Sequence, residues 1–159
     1  MEKREMKEKD KFSNLCEIVK VLRSENGCPW DKEQTHGSME KCLIDETAEL
    51  IAAIRIYEKS GSYENMCEEL GDVLFQVVIQ AQIAEEEGLF SIEDVIREIS
   101  QKMVRRHPHV FQSENMDNNV RSWNEIKQME KQERYVLSAS DEEKQDLVNE
   151  INQVLDAKK

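Results

Sequence analysis

From Leu70 to Ala84 the chain is apolar around almost the whole circumference of a helix. Leu70, Val73, Leu74, Phe75, Val77, Val78, Ile79 and Ala81 leave room for one polar stripe. Glu69, Asp72, Gln76 and Gln80 fill it at spacings of three and four, the spacing of a single helix face. A helix apolar nearly all round is a buried helix. A carboxylate in such a setting is costly unless it has a partner or a metal. This segment therefore demands a helical core and sets acids against it.

The rest of the chain agrees with an all-α fold. Five Gly and two Pro in 159 residues are too few turn formers for a many-stranded sandwich or barrel. Phe12, Leu15, Ile18, Val19 and Leu22 mark a first amphipathic helix over about Lys11 to Ser24. A polar loop of about twelve residues, CPWDKEQTHGS, follows it. A second helix runs from Ser38, a plausible N-cap, to Lys59, and Gly61 stops it. Asn65 with Glu68 opens a third, which continues to Glu87 and ends at Gly88. Ser91 with Asp94 opens a fourth, over Ile92 to Arg106, and Pro108 ends it. A charged fifth helix spans Val120 to Arg134. A sixth starts after Ser140 and carries Leu147, Val148, Ile151, Val154 and Leu155 on one stripe. The expected architecture is five to six helices with a four-helix core, the second and third forming a hairpin. Residues 1–10 read as a solvated start, 11–134 as the domain and 135–159 as a C-terminal helical extension. Only 38% of residues are apolar and 35% are charged, so a core completed by self-association, most simply a dimer, is expected.

The net charge of −12 argues against a nucleic-acid-binding domain, which usually presents a basic field. Against that background residues 101–111 stand out, with Lys102, Arg105 and Arg106 and no acid. The N-terminus has no apolar stretch of a signal peptide. The longest apolar run is broken by Gln76, Gln80 and Gln82, so no membrane span is expected. Cys16, Cys28, Cys42 and Cys67 form no C-x-x-C and read as reduced thiols of a cytoplasmic protein.

Chemistry concentrates on the second and third helices. Glu46 and Glu49 are one turn apart, with Asp45 four residues from Glu49. The second helix thus offers E-x-x-E and the third E-x-x-D, Glu69 and Asp72. Packed antiparallel, the two helices would bring four carboxylates together. Such an oxygen-only set suits Mg²⁺ or Mn²⁺ rather than zinc. The alternative is that these acids lie on solvated faces. Lys102 and Arg106 share a helix face with Arg105 beside them, a set suited to phosphate. Favourable placement of cations at a helix C-terminus would also explain them. His107 and His109 are a weak zinc pair with no third ligand in view. Trp30 and Trp123 are either base-stacking platforms or packing anchors.

Five segments in order, CPWDKEQTH, DETAE, EELGDVLFQVV, KMVRRHPHVF and WNEIKQMEK, resemble the MazG-type nucleoside triphosphate pyrophosphohydrolases of the all-α NTP pyrophosphatase superfamily. The resemblance covers about residues 12–134. It implies Mg²⁺ ligands at Glu46, Glu49, Glu69 and Asp72, and nucleotide contacts at Lys102, Arg106, Trp123 and Lys127. Asp45 stands where the family usually has Glu. The resemblance implies hydrolysis of a nucleoside triphosphate to the monophosphate and pyrophosphate, and a homodimer; Glu49 or Asp45 is the expected acceptor of the attacking water's proton. Members with two such domains in tandem are common, whereas this sequence shows one copy. The rival readings are a narrower relative (dUTPase- or dCTPase-like, or a phosphoribosyl-ATP pyrophosphohydrolase) and a non-enzymatic helical interaction module.

Overall fold

The computed structural model describes residues 11–111, 125 and 141–156. Among them every regular element is helical, in the order α1 (Lys11–Leu22), α2 (Pro29–Glu33), α3 (Glu40–Ser60), α4 (Glu64–Glu86), α5 (Ile92–Arg106), α6 (Pro108–Phe111) and α7 (Asp141–Asp156). The expected all-α class is the observed one. Of the expected helix over Val120 to Arg134 only Glu125, which is helical, is described; the Ser140 cap and residues 1–10 lie outside the described residues. The chain forms two compact units, Met1–Arg97 and Glu98–Lys159, and the division falls inside α5.

The core of the first unit is made by α1, α3 and α4, with both of the others packed on α4. Val19 of α1, Met39 just before α3, and Val78, Ile79 and Ile83 of α4 are its buried residues. Phe12, Leu15, Cys16, Cys42, Phe75 and Ile92 pack around them. The three-residue link between α3 and α4 makes a hairpin. It is possible because Gly61 takes a left-handed φ of 76°, which a side chain would strain, while its N–H donates to the Tyr57 carbonyl at 2.8 Å.

The sequence-based expectations are corrected at four points. The stretch after Gly27 is not one long loop: Pro29–Glu33 winds into a short helix with Pro at its first position. Ser38 does not cap α3. It exchanges bonds with Thr35: the Thr35 N–H donates to Ser38 Oγ at 2.9 Å and the Ser38 N–H to Thr35 Oγ1 at 3.2 Å. Asn65 does not open α4. The Glu64 carboxylate does, accepting from Ser62 Oγ at 3.0 Å and from the Tyr63 N–H at 3.1 Å. Finally, burial along α4 is concentrated in its C-terminal half, at Gln76, Val78, Ile79, Ala81, Ile83 and Ala84, and does not run all round the helix. Leu70 is 52% exposed, and Leu74 and Val77 are also exposed.

Arg23, at the end of α1, ties the first unit together. Its side chain is buried, and it donates from Nε and Nη2 to the Glu86 carboxylate of α4 at 2.8–3.2 Å. Its Nη1 donates to the carbonyls of Asp31 at 2.6 Å and Gln34 at 3.1 Å, which anchors α2. The chain can turn toward this contact because residue 27 is glycine. A Cβ there would lie 2.2 Å from the Leu22 carbonyl oxygen, closer than backbone atoms tolerate. The α5 start matches expectation: the Ser91 N–H and hydroxyl donate to Asp94 at 2.9 and 2.8 Å, and the Asp94 N–H returns to Ser91 Oγ at 3.3 Å.

Two predictions follow from these bonds. Arg23→Met strands two backbone carbonyls and should cost about 2–3 kcal/mol in urea unfolding, with Glu86, part exposed, adding little. Hydrogen bonds from the Ser91 N–H and hydroxyl, and then from Arg97, hold the Asp94 carboxyl down at about 2. A depressed folded value means stability that is present above the unfolded pKa and lost as pH falls through the folded one. Wild type should therefore lose its advantage over Asp94→Asn between about pH 5 and pH 2, read as converging urea midpoints. A pH-independent difference would contradict this.

Candidate metal centre

The hairpin places acids from two helices in one spot. Glu46 and Glu49 stand one turn apart on α3, and Glu69 stands on α4. A carboxylate oxygen from each lies within 4.8 Å of the others. Glu69 is only 7% exposed, Glu46 is half-buried and Glu49 is exposed. Among the described residues no Lys, Arg or His forms an ion pair with any of the three. Asn65 Nδ2 donates to Glu69 Oε1 at 3.1 Å.

The consequence is electrostatic. Burial holds the Glu46 carboxyl above its usual range, and the charges of Asp72, Glu49, Glu69 and Asp45 add to this in that order. Burial likewise raises Glu69, with Glu49, Asp72 and Glu68 contributing and the Asn65 bond opposing. Like charges so placed favour the neutral form unless a cation compensates. Oxygen-only donors at this spacing fit a hard divalent ion. Asp72 is outside the close group of three, yet it is the foremost charge acting on Glu46. Asp45 is exposed and contributes least.

Two further polar ties border this face of α4. Gln80 Oε1 pairs with His36 Nδ1, and Gln80 Nε2 donates to the His36 carbonyl at 3.3 Å. His36 Nε2 also lies 3.6 Å from Glu87. Trp30 on α2 is 57% exposed, so it is not a packing anchor within its unit.

Lys102, Arg105 and Arg106 occupy the last two turns of α5, in the second unit, where Lys102 and Arg106 are half-buried and Arg105 is exposed. Trp123 and Lys127 lie outside the described residues. His107 Nδ1 bonds the Met103 carbonyl at 2.7 Å, and its ring centroid is 5.9 Å from that of His109. Among the described residues neither histidine joins a group of three potential metal ligands. Sequence reasoning missed Arg23, Gln76 as an orphaned amide, and the His36–Gln80 pair. Arg23 is one of 22 basic residues and carries no spacing signal. Gln76 and Gln80 were visible only as members of the polar stripe.

Residues 34–111 match the family of the MazG nucleotide pyrophosphohydrolase domain. The chain is 50% identical over 123 residues to the uncharacterised protein YabN of Bacillus subtilis (strain 168), covering 76% of this chain and 24% of that one. It is 51% identical over 120 residues to the nucleoside triphosphate pyrophosphohydrolase/pyrophosphatase MazG of Thermotoga maritima, covering 76% and 45%. It is 40% identical over 137 residues to the nucleoside triphosphate pyrophosphohydrolase of Escherichia coli (strain K12), covering 84% and 51%. The chain thus spans from about a quarter to about half of the length of these relatives. The motifs, the all-helical architecture, the matched domain and these identities agree: the chain belongs to the MazG nucleotide pyrophosphohydrolase family.

Proposed function

We propose that this protein hydrolyses nucleoside triphosphates to the monophosphate and pyrophosphate, as a house-cleaning enzyme of the nucleotide pool. The observation that carries this reading is the group Glu46, Glu49 and Glu69, three carboxylates from two helices within 4.8 Å and without a compensating cation among the described residues. The names of the Thermotoga and Escherichia relatives point the same way.

Glu46, Glu49, Glu69 and Asp72 would hold Mg²⁺, with Mn²⁺ as a substitute. When bound, such an ion supplies positive charge against the triphosphate and acidifies water. The protein's own side chains do the rest. Glu49, the exposed member of the group, accepts a proton from the attacking water, with Asp45 as the alternative base. Lys102, Arg105 and Arg106 bind phosphate oxygens, and Arg does so through two parallel N–H bonds. Trp30 offers an exposed ring for the base, and Trp123 and Lys127 are assigned to the nucleotide by the family resemblance.

We also read the protein as a homodimer. Ile51 and Ile54 of α3 and Leu70, Leu74 and Val77 of α4 are exposed in the single chain, more apolar surface than a lone hairpin would carry comfortably in water. Among the described residues no helix is long and apolar enough to cross a membrane. Four cysteines without a disulfide fit a reducing compartment, the cytoplasm.

The test is pyrophosphate release from a panel of ribo- and deoxynucleoside triphosphates. Release with the monophosphate in Mg²⁺, and none in EDTA, is expected; a panel with no release in Mg²⁺ refutes the reaction. Glu46→Gln should lower turnover by a hundredfold or more, given that even outer-shell partners of a metal are worth about 10–100-fold. The same substitution should raise the Tm of the metal-free protein, because it removes one of the repelling charges. Substantial activity in the variant, or a lower metal-free Tm, would contradict the assignment of Glu46.

A further inference from the structure

Gln76 is the one polar residue of the α4 stripe that neither the fold nor the metal group accounts for. It is 4% exposed. Its Oε1 is the single buried side-chain oxygen or nitrogen without a hydrogen-bond partner among the described residues. Its neighbours on the stripe are all placed. Glu69 belongs to the carboxylate group and Asp72 presses on Glu46. Gln80, one turn further on, is bonded through both ends of its amide to His36.

The helix phase puts Gln76 on the metal side. At about 100° per residue, Gln76 falls between Glu69 and Asp72 in angle, one turn beyond Asp72 along the axis. A buried amide oxygen left without a donor destabilises a folded chain, and an apolar side chain of the same size would pack there without that cost. A ligand that brings a donor resolves the conflict.

The nature of that donor follows from charge. Triphosphate oxygens and carboxylates are acceptors at neutral pH and would repel an amide oxygen. Resting on the hydrolase reading, we infer that Gln76 is a further substrate-site residue whose Oε1 accepts a hydrogen bond from an O–H group of the bound metal–nucleotide. That group is a water on the cation or a hydroxyl of the sugar.

The experiment uses the full chain and Gln76→Met, with three binding-level readouts. Metal-free thermal unfolding comes first: the variant should be at least as stable as wild type, and a lower Tm would mean that Oε1 serves the fold and would overturn the proposal. Calorimetric titration with Mg²⁺ alone and with a non-hydrolysable α,β-methylene triphosphate in Mg²⁺ follows. A loss of about tenfold is expected in one of them, the size of one hydrogen bond. Loss in Mg²⁺ alone identifies the water. Loss only in the ribonucleotide analogue, vanishing with its 2′,3′-dideoxy form, identifies the sugar hydroxyl. A loss that persists with the dideoxy form while Mg²⁺ affinity is intact, or no loss in either titration, overturns the proposal. If the wild type itself binds neither probe, the hydrolase reading fails and this inference fails with it.

Discussion

Repulsion among carboxylates is the constraint around which this hairpin is organised. Glu46, Glu49 and Glu69 are held within 4.8 Å of one another, and the charge of Asp72 acts on Glu46 and Glu69. Nothing in those contacts favours folding. The favourable free energy comes from the other end of the hairpin, where Met39, Val78, Ile79 and Ile83 close on Val19. Buried apolar side chains of this kind contribute roughly 1.5–3 kcal/mol each, enough for a few of them to hold a pair of helices in an electrostatically unfavourable register. The acid group is therefore imposed by packing, a arrangement common where function and stability pull apart.

The protein's cations are divided to the same effect. Arg23 is spent on structure: its fork takes Glu86 and two carbonyls, and so keeps α2 and its exposed Trp30 beside α1 and α4. No such guanidinium reaches Glu46, Glu49 or Glu69 among the described residues. The chain carries 34 acids against 22 bases, and among the described residues most acids face water. What distinguishes these three is that Glu69 is buried and that two helices share the site.

Much of the fold was legible because long amphipathic helices write their period into the sequence. The limits of α1, α3, α4 and α5 fall within a few residues of where spacing, Gly61, Gly88 and Pro108 put them. What was illegible depended on distant partners. Pro29–Glu33 is too short to show a period, and it is fixed by Arg23 rather than by its own residues. Ser38 and Asn65 looked like caps, but each bonds another partner, Thr35 in one case and Glu69 in the other. Burial of the first half of α4 was overestimated because a period says which residues share a face and not what covers it. The site divides the same way. The i,i+3 acid pairs could be read directly, and their convergence followed from antiparallel packing. The Arg23–Glu86 and His36–Gln80 ties join residues 63 and 44 positions apart and leave no local pattern.

The central claim is that the hairpin carboxylates are a cation site. Electron paramagnetic resonance of Mn²⁺ titrated into the metal-free protein tests it most directly, because free and bound Mn²⁺ give distinct signals. Saturable binding by the wild type that is lost in Glu69→Gln, with helical circular dichroism unchanged, is the predicted result. Equal binding by both proteins, or none by the wild type, would contradict the account.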